Sequence, residues 1–130
     1  MKRLAILLAV LALAAAACGG GSDDGGSSET TAPSSGGSGN AAAGETVFQG
    51  TCATCHGADA LGIEGLGKSL HDNAFVQSMT DDEFVVFIQT GRPASHPDNT
   101  TGVDMPPRGG NPSLTDDDLY DVVAFVRTFQ

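Results

Sequence analysis

A chain of 130 residues with a net charge of −10 and no tryptophan holds at most one small domain. Only 6 Lys and Arg stand against 16 Asp and Glu, which argues against a nucleic-acid partner, because phosphate backbones select basic patches. Three cysteines leave cofactor attachment, metal binding, lipid attachment and disulfide chemistry to be separated by their surroundings.

Lys2 and Arg3 precede an apolar run from Leu4 to Ala17. At roughly 14 residues this is the length of a signal-peptide core and short of the ~18 needed for a membrane span. The run ends Ala15-Ala16-Ala17-Cys18 before three glycines, which resembles a bacterial lipobox with alanine where leucine is commoner. Residues 1–18 are therefore expected to direct export and to place a lipid on Cys18; ordinary cleavage after the small residues is the competing expectation. Residues 19–43 are Gly, Ser, Thr and Ala with a few acids, too polar to bury a core. They read as a flexible tether with a reach of roughly 27 Å. The chain is thus expected on the outer face of the cytoplasmic membrane, periplasmic or extracellular.

The folded domain is expected over residues 44–130, roughly 85 residues and small for a core without help. A short helix is expected from 45 to about 51, with Glu45 near its positive end. It leads into Cys52-Ala53-Thr54-Cys55-His56, the C-x-x-C-H signature of c-type haem attachment. A zinc site would need a second ligand pair, yet no cysteine follows Cys55. A redox dithiol would need strand-helix alternation around it, and a Cys52–Cys55 disulfide would leave His56 without a use.

Gly44, Phe48, Cys52, Cys55, His56 and Gly57 together resemble the first helix and haem motif of class I c-type cytochromes. The resemblance implies that Cys52 and Cys55 hold one haem c by thioethers, that His56 is an axial ligand, and that Gly44 and Phe48 pack against the last helix. Gly67-Lys68-Ser69-Leu70 stands where that family carries Gly-Pro-x-Leu. Lys68 replaces the proline but keeps its carbonyl, so the bond that orients the histidine can persist, and Leu70 is expected on the haem. His71 is expected at the surface.

Met79-Thr80-Asp81-Asp82-Glu83-Phe84 is a helix start, with Thr80 as cap and Glu83 closing a capping box. Met79 thereby has a structural use. Phe84, Val85, Val86, Phe87 and Ile88 make this helix apolar on more than one side, and Gly91 and Pro93 end it. Arg92 is expected either to pair with a haem propionate or to neutralise the helix end, with Asn73 a further polar candidate. From 94 to 112 the chain reads as a long irregular segment carrying Met105-Pro106-Pro107. By the same resemblance Met105 is the second axial ligand, with His96 its rival. Thr115 and Asp118 repeat the cap chemistry, and Leu119, Val122, Val123 and Val126 form one apolar stripe, widened by Phe125 and Phe129. Val122 and Phe125 are expected to meet Gly44 and Phe48, and Tyr120 is expected to be a surface ring.

The resemblance implies an all-α cytochrome c fold of three to five helices wrapped around one covalent haem. It implies an electron carrier, not an enzyme, passing one electron between membrane-associated redox proteins with no small-molecule substrate. The alternatives are a haem-bearing subunit of a larger oxidoreductase, or a haem sensor or peroxidase with an open distal side. From Gly44 onward 13 acids face 4 Lys and Arg, a field expected to attract a basic docking site and repel an acidic one, with contact through the apolar haem edge the alternative.

Overall fold

The computed structural model describes residues 38–130. The expected signal segment, its Cys18 and most of the expected tether lie outside the described residues. The first helix, α1, covers Ala41–Val47. It runs without a break into a π-helical turn, Phe48–Cys52, and then into α2, Ala53–His56, because the junction residues Val47, Phe48, Cys52 and Ala53 all keep right-handed helical angles.

This start corrects the domain boundary at 44. Asn40 Oδ1 accepts from the backbone N–H groups of Ala42 and Ala43 at 2.9 and 3.1 Å, and Asn40 N–H donates to Asp121 Oδ1 at 2.6 Å. Small residues had the composition of a linker, yet an Asn cap followed by three alanines is also a good helix start.

The remaining helices are α3 (Ala74–Gln77), α4 (Asp81–Thr90) and α5 (Asp116–Arg127), with a 3₁₀ turn at Pro107–Gly110. Among the described residues there is no strand, only isolated bridges between Ile63 and Gly67 and between Arg92 and Met105. The class is therefore helical, as expected. Both capping boxes form: Thr80 with Glu83 opens α4, and Thr115 with Asp118 opens α5. The Thr80 bonds hold the Glu83 carboxyl below its usual range. Sequence had not marked α3, which Asn73 caps through Oδ1 to the N–H groups of Phe75 and Val76.

The core is the apolar stripe of α5 against α1 and α4. Leu119, Val122, Val123 and Val126 are all buried, together with Phe48, Val76, Phe84, Val85 and Ile88. The rings of Phe48 and Phe125 lie 5.3 Å apart, the aromatic contact expected between first and last helices. Gly44 makes that crossing possible, since a Cβ there would overlap the Asp121 carbonyl of α5. Gly44→Ala should therefore force the helices apart and cost about 1–3 kcal/mol. For a domain this small that is a drop in melting temperature on the order of 10 °C, measurable on the holoprotein by circular dichroism; an unchanged melting temperature would mean the crossing is soft.

Two side chains depart from expectation. Val86 is 57% exposed, so α4 buries Phe84, Val85 and Ile88 and turns Val86 outward. Tyr120 is not a free surface ring: its hydroxyl donates to Asp82 Oδ1 at 2.7 Å and joins the first turns of α4 and α5. That bond holds the Tyr120 phenol above its usual range. Arg127 fastens the far end of α5, donating to Asp81 Oδ1 and to the carbonyls of Val76 and Met79 at 2.6–2.8 Å.

Candidate cofactor site

Positions 52, 55 and 56 are spaced i, i+3, i+4 on a helical stretch, which puts both thiols and the imidazole on one side. The π turn ends on Cys52; such turns are frequent at functional positions. All three side chains line a cavity of about 420 Å³.

The loop after α2 returns to this wall. Gly67 lies so close to Cys55 that a Cβ would overlap its carbonyl. The approach brings the Lys68 carbonyl to 2.8 Å from His56 Nδ1. A carbonyl can only accept, so Nδ1 carries the proton and Nε2 is left with its lone pair. This is the contact expected from the Gly-Lys-Ser-Leu segment, made by a lysine in place of proline. Leu70 lines the same cavity, and α3 adds Phe75 and Val76.

Met105 reaches the cavity from the long segment after α4. Its backbone is held by two reciprocal bonds to Arg92, each 2.8 Å, and Pro106 keeps the chain extended beyond it. Sequence showed the prolines but not this bridge. The segment is also less irregular than expected. Asn99 Nδ2 donates to the carbonyls of Pro93 and Val103, its Oδ1 accepts from Thr101 and Gly102, and the turn at Pro107–Gly110 closes the segment.

The rival ligands are placed elsewhere. His96, His71 and Met79 are not among the residues lining the cavity. His96 Nδ1 accepts from Asp98 N–H at 3.2 Å within its own turn. His71 stacks on Phe129 with centroids 4.4 Å apart, and its Nε2–H donates to the Asp59 carbonyl at 2.8 Å, so it is pinned and not free at the surface. Asn73 lines the cavity, but its amide is spent on capping α3 and on the Ser69 carbonyl at 2.6 Å.

Electrostatics separate the uses of the two cysteines. Burial, and then the neighbouring Cys55, push the Cys52 thiol up to about 11. A redox dithiol needs a thiolate stabilised near neutrality, the opposite of this. For zinc, the described residues include no group of three or more His, Cys, Asp or Glu placed to hold a metal ion. A haem fits better: two adjacent thiols can each take a vinyl group, an imidazole with a free Nε2 stands beside them, and a thioether lies in the same mostly apolar cavity with Phe84, Ile88 and Val126. The cavity volume falls within the usual range for a cofactor site.

Comparison with known proteins agrees with this chemistry. Residues 39–126 match the family described as cytochrome c oxidase, cbb3-type, subunit III. The cbb3-type cytochrome c oxidase subunit CcoP of Rubrivivax gelatinosus is 38% identical over 65 residues, covering 50% of this chain and 21% of that protein. The chain thus spans about a fifth of the length of the curated relative it matches. No solved structure matches. These matches overturn the expectation of a non-enzyme carrier, because family and relative both bear the name of an oxidase subunit. The sequence motif reports how a haem is held and carries no mark of whether its bearer works alone or in a complex.

Proposed function

This chain belongs to the family of cytochrome c oxidase, cbb3-type, subunit III, c-type cytochromes with covalently bound haem, and on that footing we propose that it is the haem-bearing subunit passing electrons within a membrane-associated oxidoreductase. The meeting of Cys52, Cys55, His56 and Met105 at one cavity carries the haem reading, and the match to an oxidase-subunit family supports the subunit reading.

In this reading Cys52 and Cys55 would hold the haem through two thioethers, His56 Nε2 and Met105 Sδ would ligate its iron, and Leu70 would supply apolar wall. When bound, the haem supplies a one-electron couple. The Lys68 carbonyl fixes the tautomer and ring orientation of His56. The Arg92 bridge and Pro106 hold Met105 in place, so the ligand set need not rearrange between oxidation states. A methionine in the second position raises the potential relative to a second histidine. The helices would then enclose the haem as a small cytochrome c fold.

Residues 1–18 are assigned to export with a lipid on Cys18, and the following stretch, up to the described residues, to a tether. No helix among the described residues is long and apolar enough to cross a membrane. The 13 acids against 4 cations from Gly44 onward favour a basic docking surface on the partner.

Native electrophoresis of detergent-extracted membranes tests the subunit reading. The chain should run in a haem-stained band far larger than its own 13.1 kDa, with oxidoreductase activity in the same band. Migration as a free small protein, with that activity intact elsewhere, would restore the independent shuttle.

A further inference from the structure

The described residues contain four Lys and Arg, and two of them are spent on carboxylates: Arg108 on Asp116 and Arg127 on Asp81, each at 2.8 Å. Arg92 is different. It lines the cavity, yet it forms no ion pair among the described residues, and its one protein acceptor is the Asp98 carbonyl at 3.5 Å. Instead its guanidinium lies over two rings, 4.4 Å from the centroid of Phe75 and 4.9 Å from that of Phe87. Cation–π contacts of this kind hold the guanidinium against the aromatic pair without using its N–H groups.

Four of the five guanidinium donors are unused by protein, so they are free for an acceptor in the cavity that Arg92 lines. We propose that Arg92 is the counter-ion of a haem carboxylate. This rests on the haem reading and deepens it. Thioethers at Cys52 and Cys55 would fix the vinyl edge of the macrocycle at α2, so its carboxylates must leave toward other walls of the cavity. The other lining cation, Lys68, is exposed and follows Gly67, which abuts Cys55 at the thioether end. Arg92 sits past the end of α4, bonded to Met105.

The other ionisable groups lining the cavity do not compete for it. Asp104 Oδ1 accepts from Ala94 N–H at 2.5 Å, the Asp98 side chain is 73% exposed, and His56 is committed to Lys68. Asn73, the other polar candidate, has its oxygen in a helix cap. Arg92 is therefore the side chain on this wall with both charge and free donors.

The direct test is nuclear magnetic resonance of the ferrous holoprotein labelled with ¹⁵N at arginine. Arg92 guanidinium protons should exchange slowly and show cross-peaks to the haem propionate methylenes. Cross-peaks to Phe75 and Phe87 alone would overturn the proposal, and this result needs no variant to fold. Potentiometry supplies the second arm. Arg92→Gln removes a cation from the site, so at fixed potential the ferrous-to-ferric ratio should fall about tenfold, ~59 mV for one electron. Arg92→Lys should restore most of it, and the sulfur-to-iron absorption should persist in both. An unchanged potential with that absorption intact would refute the role for Arg92 alone; a haem that is not covalently attached would remove the site reading with it.

Discussion

Replacing Met105 by Ala should abolish the far-red sulfur-to-iron absorption of the oxidised protein. It should also lower its potential by on the order of 0.1 V or more, a modest part of the roughly 0.8 V that axial ligands span. The argument is positional. Of Met79, Met105, His71 and His96, only Met105 lines the cavity that Cys52, Cys55 and His56 share. Its backbone is tied on both sides to Arg92, so the thioether is presented by a fixed strand-like bridge and not by a loose loop. Met79→Ala should leave the absorption in place and lower stability, since Met79 packs against the core at the start of α4. The reverse pattern, with the band lost in Met79→Ala and kept in Met105→Ala, would refute the assignment. Retention of the band in both variants would point away from methionine altogether.

The second large effect concerns the fold itself. A chain whose Cys52 and Cys55 are both replaced by Ala should fail to hold the helical structure described above. The cavity measures about 420 Å³. At about 24 cal/mol per Å³, leaving it unfilled would cost ~10 kcal/mol. That is an upper bound, since water can enter a cavity open to solvent. Domains of this size have stabilities of about 5–15 kcal/mol in total. Far-ultraviolet circular dichroism of the double variant should show loss of most helical signal or a broad melt well below the holoprotein; a native spectrum with a sharp transition at the holoprotein's temperature would show that the helices do not depend on the cofactor.

Much of this arrangement could be read from the chain because the signals are local. Cys52 to His56 lie within one turn and a half of helix, and the caps at Thr80 and Thr115 each involve residues three apart. The stripe on α5 was legible because its four buried residues recur at helical spacing. The missing parts depend on contacts distant in sequence. Asn40 looked like linker until Asp121 was seen to accept its N–H. Tyr120 meets Asp82 across 38 positions, and no periodicity encodes that pairing. Arg92 could be recognised as a candidate, but the two rings that hold it come from α3 and α4, and α3 has too short an apolar pattern to announce itself. The proposed subunit role was not legible for a different reason: ligand chemistry is the same in a shuttle and in a subunit, and the distinction lies in surfaces that meet another protein.

The most direct test of the central claim, that Cys52 and Cys55 bind the haem covalently, is denaturing electrophoresis of the protein stained for haem peroxidase activity after acid-acetone extraction. The account predicts haem stain that comigrates with the polypeptide, persists through extraction and disappears from the Cys52→Ala, Cys55→Ala double variant. Complete removal of the haem from the wild-type chain by acid acetone would contradict it.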